Sequence, residues 1–257
     1  MMQQICRVTD NRHVGGDIHV LTFHSPEIAR SVLPGQFVNL RVDDSYLPLL
    51  RRPFSVYHIH GDDVSLIFNI VGPGTHILSR KHAGDLLDVL GPLGSPFHIE
   101  GEYATAILVA GGLGVAPLPV ITRALHVVQK QIVTFLGART KEHLITTYLE
   151  DVSAATDDGS AGFHGTVVDL LVNFLREKPA ASRKVFACGP TPMLASLFRV
   201  IEEFQIPCEV SLESSMACGI GICQGCPVER TAGGKRYALI CKEGPVFSST
   251  GVKLESW

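Results

Sequence analysis

Four cysteines near the C-terminus are the residues in this sequence whose type and spacing most clearly predict chemistry. They are Cys218, Cys223, Cys226 and Cys241. The first three follow a C-x4-C-x2-C spacing, which is typical of plant-type [2Fe–2S] ligation, whereas a zinc ribbon takes two C-x2-C knuckles. The loop also contains Gly219, Gly221 and Gly225. Because glycine has no Cβ, these positions permit the tight backbone that three converging thiolates require. The pattern favours an iron–sulfur site, and zinc ligation or purely structural cysteines remain the alternatives.

A pair of arginines before a predicted strand is the second candidate. The sequence there is Arg51-Arg52-Pro53-Phe54-Ser55, and two adjacent guanidinium groups beside a proline are poor strand formers unless one of them binds something. Arginine is suited to a bidentate grip on phosphate oxygens, and the Ser55 hydroxyl could meet a ring system packed over the strand. A solvated edge with surface arginines is the alternative.

A glycine turn follows in the same part of the chain, at Gly72-Pro73-Gly74-Thr75. Thr75 is expected to cap a short helix, and Gly72 and Gly74 leave backbone N–H groups free to face an anion ahead of it. One glycine turn alone is more often only a turn. Together with the arginine pair, it indicates a diphosphate site.

Two further turns lie where α/β folds bind nucleotides. The first contains Gly111, Gly112 and Gly114. It stands between a predicted buried strand and a helix, where a diphosphate could approach the helix N-terminus. The second, Cys188-Gly189-Pro190, follows a later strand at the carboxyl edge of the sheet. The glycines do not form a Rossmann fingerprint, because Pro117 interrupts it and Arg139 stands where an acidic residue is expected. The choice between NAD and NADP is therefore open.

The elements that must position these residues change character at about residue 100. Up to there, short segments of alternating polarity, separated by turn signals such as Pro34-Gly35 and Gly61-Asp62, predict a small antiparallel barrel. The predicted strands are Ile18–Phe23, Gln36–Val42, Phe54–Ile59 and Val64–Val71. One short helix, entered at Thr75, is expected to interrupt them.

From about residue 101 strands alternate with helices, which predicts a parallel sheet covered on both faces. The predicted strands are Ala104–Ala110, Ile132–Leu136, a short segment near Val152–Thr156, and Val185–Cys188. The predicted helices are Ala116–Val128, Glu142–Leu149, Val167–Leu175 and Pro192–Phe204. A further strand, Cys208–Leu212, leads into the loop that contains Cys218, Cys223 and Cys226, which we call the cysteine loop. We therefore predict three units, at 1–100, 101–210 and 211–257.

Composition argues against several classes of function. The chain has 257 residues, of which 46% are hydrophobic and 18% charged, and its net charge is −3. No footprint for nucleic acid or an anionic membrane is visible, and no apolar run reaches the roughly 20 residues that span a bilayer. The N-terminus lacks signal-peptide features, and the seven cysteines fit a metal site in a reducing compartment, so a cytoplasmic protein is expected. The sequence shows no ordered Ser/His/Asp set, HExxH motif or Walker loop, so no side chain is assigned a catalytic role.

Taken in order, the R-P-F-S, G-x-G-T, G-G-x-G and C-G-P-x-P-M motifs resemble the ferredoxin reductase superfamily over essentially the whole chain. The Cys218–Cys226 run and the sequence Cys241–Phe247 are closely similar to the family of electron-transfer subunits of NAD-dependent (class 1B) dihydroorotate dehydrogenases. This resemblance implies an antiparallel FAD-binding β-barrel, a parallel-sheet NAD-binding α/β domain and a small C-terminal [2Fe–2S] module. It implies FAD at Arg52, Pro53, Phe54, Ser55, Ile67, Phe68, Asn69, Gly74 and Thr75, and one cluster on Cys218, Cys223, Cys226 and Cys241.

The resemblance also implies how the cofactors divide the work. NAD accepts two electrons at once and a [2Fe–2S] cluster passes one, so FAD is expected between them as the converter. Dihydroorotate oxidation, a step of pyrimidine (UMP) biosynthesis, is expected in an FMN-containing catalytic partner subunit, within a heterotetramer of two plus two subunits. The cluster would then face that partner, and backbone N–H groups around Gly219–Cys223 would hydrogen-bond its sulfurs. Cys188, with Gly189 and Pro190, is expected near the nicotinamide.

Two rival functions stay open. A flavin and iron–sulfur diaphorase subunit of a ferredoxin-linked NADP transhydrogenase, or of a soluble hydrogenase, would share the motifs up to Cys226. Arg139 mildly favours NADP and hence this rival, whereas the Cys241–Phe247 segment favours the dihydroorotate complex. A more distant alternative is a non-enzymatic zinc-binding scaffold in which the barrel is an interaction module.

Overall fold

The computed structural model describes residues 1–178 and 182–254. Its first part contains six strands: β1 Met2–Gly15, β2 Ile18–His24, β3 Phe37–Arg41, β4 Arg52–His60, β5 Asp63–Asn69 and β6 Leu86–Leu93. Two short helices, α1 Pro26–Ser31 and α2 Pro73–Ser79, lie between them. The strands pair antiparallel and close into a barrel in the order β1-β2-β5-β4-β3-β6. Closure leaves no free sheet edge in this part of the molecule.

Strand β3 is covered on both faces, which is unusual in a small barrel. Val38 and Leu40 point into the barrel core. Phe37, on the opposite face, packs instead with residues of the C-terminal part of the chain, and Asn39 is fully buried. Side chains alternate across a strand, so the outer face of β3 is the surface on which the C-terminal segment docks.

The second part is a parallel sheet with helices packed on it. Its strands are β7 Thr105–Gly111, β8 Gln131–Ala138, β9 Val152–Thr156, β10 Phe163–His164, β11 Arg183–Cys188 and β12 Cys208–Ser211. Its helices are α3 Leu118–Val127, α4 Val167–Glu177 and α5 Thr191–Glu203. The strands lie in the order β10-β9-β8-β7-β11-β12. Every residue of β7 is buried, as expected for a central parallel strand covered on both faces.

The C-terminal segment adds a small hairpin and one more sheet strand. Strands β13 Pro227–Glu229 and β14 Tyr237–Leu239 pair with each other, and β15 Val246–Ser248 pairs antiparallel with β12. The cysteine loop therefore lies between a strand of the parallel sheet and the hairpin. Residues 255–257 of the predicted third unit lie outside the described residues.

The Cys241–Phe247 segment forms a seam between the barrel and the parallel sheet. The Ser95 N–H donates to the Gly244 carbonyl at 2.6 Å, and the Leu212 N–H donates to the Pro245 carbonyl at 2.9 Å. Gly244, Pro245 and Val246 are buried. In the sequence, this segment favours the dihydroorotate complex; in the structure, its middle is an internal joint and offers no surface to a partner.

The order of elements confirms the predicted fold class, with local differences. Strands β1 and β6 and helix α1 were not predicted, and β1 gives a weak signal because only two of its 14 residues are buried. The helix predicted at Glu142–Leu149 is wrong. Only a 3-10 turn at Lys141–His143 forms there, because the apolar side chains that follow pack as an irregular segment against the sheet. Thr75 lies inside α2 at its third position, and the N-cap residue is Gly72.

A hydrophobic seam joins the barrel to the parallel sheet on the other side. Ile18, Val20, Tyr57 and Ile67 of the barrel pack with Ala116, which follows β7. Among the residues that the structure describes, no helix combines the length and apolarity needed to cross a membrane.

Candidate functional site

The four cysteines surround one loop and differ in burial. Cys226 and Cys241 are buried, Cys218 is half-buried and Cys223 is exposed. The outer end of the loop thus reaches solvent while its inner end is anchored in the core. All seven cysteines of the chain are free thiols in the structure.

Backbone N–H groups point at three of these sulfurs. The Cys223 N–H donates to Cys218 Sγ, the Gly225 N–H to Cys223 Sγ and the Cys241 N–H to Cys226 Sγ, each at 3.4 Å. Donors aimed at sulfur stabilise the thiolate form, which is the form that binds iron. The loop therefore offers the environment that an iron–sulfur cluster needs.

The thiols of Cys218 and Cys241 differ in acidity. Burial acts to raise the pKa of the Cys218 thiol, but backbone N–H donors from Cys223, Ile220 and Ile222 outweigh it and lower the pKa to about 6. Burial raises the pKa of Cys241 to about 12, and the adjacent Cys226 adds to that rise.

Two of the three loop glycines are required by backbone geometry. Gly219 and Gly221 have positive φ, +70° and +85°. A Cβ at Gly219 would also lie 2.3 Å from Asn39 Nδ2. Gly225 does not have positive φ, and a Cβ there would meet only Cys223 Sγ at 3.4 Å. Positive φ therefore accounts for glycine at positions 219 and 221 and does not account for Gly225.

The chemistry of the four cysteines suits an iron–sulfur cluster. A [2Fe–2S] cluster is held by four thiolates spread over two irons. The donor set of four cysteines with N–H groups on the sulfurs is consistent with that group.

Asn39 connects the cysteine loop to the barrel. Its side-chain Nδ2 donates to the Cys218 carbonyl at 3.3 Å. Within β3 and β4, Asn39 pairs in register with Pro53. The cysteine loop thus lies one strand away from the Arg52–Ser55 motif.

Arg51 and Arg52 have different environments. Arg51 donates to Asp88 Oδ2 at 2.7 Å and to the Asn39 carbonyl at 3.3 Å. It therefore links strands β6 and β3 of the barrel. Arg52 lies over the start of α2, where a Cβ at Gly74 would come within 2.9 Å of Arg52 Nε. Only the second arginine therefore faces the glycine turn, and it alone is placed to grip a phosphate there.

Thr75 shapes that turn. Its hydroxyl accepts from the Val71 N–H at 2.9 Å and the Gly72 N–H at 3.2 Å, and donates to the Gly72 carbonyl. Because the hydroxyl is occupied by the backbone, Thr75 fixes the shape of the turn that Arg52 overlies.

The remaining barrel residues predicted for FAD fall on two faces. By register, Pro53 and Ser55 share the outer face of the barrel with Asn39 and Phe37. Ile67 also points outward, towards the parallel sheet. Phe54 and Phe68 pack against the barrel core, with ring centroids 5.7 Å apart. Phe68 is 3% exposed, so its side chain is not available to a ligand.

A cleft of about 770 Å³ opens between the barrel and the carboxyl edge of the parallel sheet. It brings together most residues predicted for the nucleotide: Gly111, Gly112, Gly114, Gly189 and Pro190, with Asn69 on the barrel side. The volume of the cleft suits part of a dinucleotide such as NAD. Its position matches the edge where parallel sheets bind ligands.

Close backbone approach explains the glycine at position 114. A Cβ on Gly114 would lie 2.2 Å from the Cys188 carbonyl, so the turn after β7 touches the end of β11. The Cys188 side chain is 1% exposed and does not line the cleft. Burial raises the pKa of its thiol. Cys188 therefore lies beneath the cleft, and its thiol is withheld from solvent.

Several cleft residues were missed by the sequence interpretation. Asp157, Thr166 and Glu213 line the cleft. A usable signal was present: Asp157 follows β9 directly, at the carboxyl edge of a parallel strand. Arg139 lines the same cleft, so a cation and a carboxylate share it.

Comparison with known proteins gives a consistent result. Residues 213–253 match the family model for the iron–sulfur cluster binding domain of dihydroorotate dehydrogenase B. The chain is 36% identical over 250 residues to the dihydroorotate dehydrogenase B (NAD(+)) electron transfer subunit of Desulforamulus reducens, covering 94% of this chain and 95% of that protein. It is 37% identical over 219 residues to the same subunit of Clostridium acetobutylicum, covering 84% of each.

Solved structures share the fold. A structure of an NADH-dependent reduced ferredoxin–NADP oxidoreductase, studied for flavin-based electron bifurcation, has 32% identity and a TM-score of 0.87, covering 97% of this chain and 90% of that chain. A ferredoxin–NADP+ reductase of Neisseria gonorrhoeae with bound FAD and NADP has 16% identity and a TM-score of 0.65, covering 78% and 91%. The second likeness concerns the fold alone.

Proposed function

The chain belongs to the family of dihydroorotate dehydrogenase B (NAD(+)) electron transfer subunits, and on this basis we propose that it passes electrons from a dihydroorotate-oxidising catalytic subunit to NAD. The chemistry on dihydroorotate takes place in the partner. This chain supplies the binding sites and the path between them.

The path is supported by one observation above the others. The cysteine loop is joined through Asn39, at 3.3 Å, to the strand that pairs with Pro53. A cluster on Cys218, Cys223, Cys226 and Cys241 would therefore lie beside a flavin held by the Arg52–Ser55 motif. When bound, the cluster carries electrons one at a time, and FAD converts between such single steps and the hydride that NAD accepts.

The barrel residues have distinct tasks in this proposal. Arg52 grips the FAD diphosphate at the start of α2, and Gly74 leaves the room that the guanidinium needs. Pro53 and Ser55 present the outer face on which the flavin ring rests. The backbone of Ile67, Phe68 and Asn69 borders the ring on the cleft side.

The cleft residues hold the nicotinamide nucleotide. Gly111, Gly112 and Gly114 allow the diphosphate to approach the backbone, and Gly189 and Pro190 border the nicotinamide end. Asp157 supports NAD, because a carboxylate can accept from a ribose hydroxyl, whereas Arg139 in the same cleft supports NADP, so the choice of NAD rests on the family. Cys188 lies beneath the cleft, where its carbonyl packs against Gly114.

The finer features of the assembly follow the family. We propose a partner that carries FMN, a complex of two plus two subunits, and a cytoplasmic location, which agrees with seven free thiols. We also propose three functional units, at 1–100, 101–210 and 211–257, although the third contributes β15 to the sheet of the second.

Co-expression with the catalytic subunit from the same organism tests this function. Purified without oxygen, the complex should contain FAD, FMN and a [2Fe–2S] cluster, and dihydroorotate should reduce NAD to NADH. If this chain binds FAD and iron but dihydroorotate never yields NADH with any co-purified partner, the assignment to dihydroorotate oxidation is wrong.

A second function has specific support. The 32% identity to the NADH-dependent ferredoxin–NADP oxidoreductase, at a TM-score of 0.87, favours a diaphorase subunit that works with ferredoxin. Co-purification with a ferredoxin-dependent NADP-reducing subunit, and no orotate formation, would identify that function.

A further inference from the structure

We propose that the loop between β3 and β4 is the docking surface for the flavin-carrying catalytic subunit. This inference rests on the proposed function, and it concerns a surface to which neither the sequence motifs nor the family comparisons assign a role. We call Tyr46, Leu47, Leu49 and Leu50 the apolar loop patch. Their exposed fractions are 90%, 81%, 72% and 46%.

The patch concentrates apolar surface in one short stretch. Elsewhere in the described residues, large exposed apolar side chains are more scattered, as at Val127, 79% exposed on α3, and Leu33, 51% exposed after α1. Isolated exposed apolar residues are normal, but several together mark an interaction site. Four such side chains within five positions therefore indicate a surface that another molecule covers.

The loop has a defined shape. The Ser45 hydroxyl donates to the Leu47 carbonyl at 2.8 Å, and the Asp44 N–H donates to Asp43 Oδ1 at 2.7 Å. Arg52 donates to the Leu50 carbonyl at the other end. Since the backbone is held at both ends, the side chains are presented outward by the loop itself.

The loop lies next to the cysteine loop. Arg51, which ends it, donates to the Asn39 carbonyl at 3.3 Å, and Asn39 donates in turn to the Cys218 carbonyl. The cysteine loop adds its own exposed apolar side chain, Ile222, which is 75% exposed beside the exposed Cys223. The two loops therefore flank Asn39, and we assign one partner surface to both the exposed Cys223 and the patch.

Charged side chains of both signs edge the patch. Asp43 and Asp44 stand at its start, and the Asp44 carboxylate, whose side chain is 98% exposed, lies 3.8 Å from the Arg41 guanidinium. A complementary surface would have an apolar centre and a polar rim, which is the usual anatomy of a specific interface. The occupant we assign is the catalytic subunit, because electrons must enter at this cluster.

The test is a triple variant, Tyr46→Ser with Leu47→Ser and Leu49→Ser, co-expressed with the catalytic subunit. Val127→Ser, an equally exposed apolar residue on the far unit, is the matched control. We expect the triple variant to keep its FAD, its cluster signal in electron paramagnetic resonance, and NADH-driven reduction of a dye. Its dissociation constant for the catalytic subunit should rise at least about tenfold, while Val127→Ser binds like the parent chain.

Each other outcome contradicts the inference in its own way. Unchanged affinity would show that the patch is not part of the interface. Loss of FAD would place the patch in the flavin site. If the parent chain alone dimerises and the variant does not, the occupant is a second copy. Failure of the proposed function is distinguishable, since the parent complex itself would then form no NADH from dihydroorotate.

Discussion

Cys223 is the exposed member of the four cysteines, and its sulfur accepts from the Gly225 N–H. Cys223→Ser replaces a thiolate ligand with a poorer one. We expect the variant to lose the cluster and to form NADH from dihydroorotate at least about tenfold more slowly. NADH should still reduce the bound FAD, because that transfer does not involve the cysteine loop.

Iron analysis would measure the loss of the cluster, and stopped-flow reduction by NADH would measure electron transfer to FAD separately. Cys6→Ala is the control, since Cys6 is a buried thiol of the barrel and should leave the cluster intact. Full iron content in Cys223→Ser would show that our ligand set is wrong.

Gly219 and Gly225 form a matched pair in the same loop. Gly219→Ala adds the left-handed backbone cost of about 1–2 kcal/mol and drives a methyl group against the Asn39 amide, which lies 2.3 Å from the Cβ position. Gly225→Ala meets only Cys223 Sγ at 3.4 Å and keeps its N–H. We expect Gly219→Ala to lose iron much faster to a chelator than Gly225→Ala does. Equal rates would contradict the role of Asn39 in holding the loop.

At the scale of elements, β4 and the segment before β9 meet in an aromatic contact. The His58 ring stacks on Tyr148 with centroids 3.7 Å apart, and Tyr148 in turn lies edge-on to Tyr57. Burial lowers the pKa of His58, and the nearby charges of His60 and Arg123 lower it further. The folded chain therefore favours the neutral form of the His58 imidazole.

The sign of the pH dependence follows from that shift. Because the pKa of His58 is lower in the folded chain, the unfolded chain takes up the proton first, and folding stability falls as the pH drops below about 6.5. His58→Gln should flatten the loss of stability between pH 7 and pH 5, measured by urea unfolding. The parent chain, measured under the same conditions, is the reference. A slope in His58→Gln identical to that of the parent chain would contradict the account of the contact.

These elements also show what the sequence could and could not predict. The alternation of β5 and the apolar run of β7 were visible because their burial is regular, and the cysteine spacing was visible because it is local. The contact between Asn39 and Cys218 joins residues 179 positions apart, and no local pattern encodes it. The segment after Lys141 reads as a helix because its apolar residues have helical spacing, but they fill an irregular gap against the sheet.

At the scale of the whole molecule, the C-terminal segment locks the barrel to the parallel sheet. Gly94 has a φ of +78°, and a Cβ there would lie 2.5 Å from Pro245 Cδ and 2.7 Å from the Gly244 carbonyl. Gly84 also has positive φ, +100°, but a Cβ there meets nothing within 4 Å. The two positions therefore share the backbone cost and differ in the clash.

We expect Gly94→Ala to be less stable than Gly84→Ala by about 1–3 kcal/mol, the usual cost of overpacking. Denaturant unfolding followed by far-ultraviolet circular dichroism would measure the difference in the free energy of unfolding between the two variants. Equal stability would show that the joint is loose enough to absorb a methyl group.

The most direct test of the whole account is NADH formation from dihydroorotate by the anaerobically purified complex, followed at the NADH absorbance band. The parent complex should produce NADH in step with orotate, and the complex carrying Cys223→Ser should produce orotate without NADH when a dye is supplied to accept the electrons. NADH formation that is as fast without the cluster, or none at all from a complex with every cofactor bound, would contradict the proposal that this chain carries electrons from dihydroorotate to NAD.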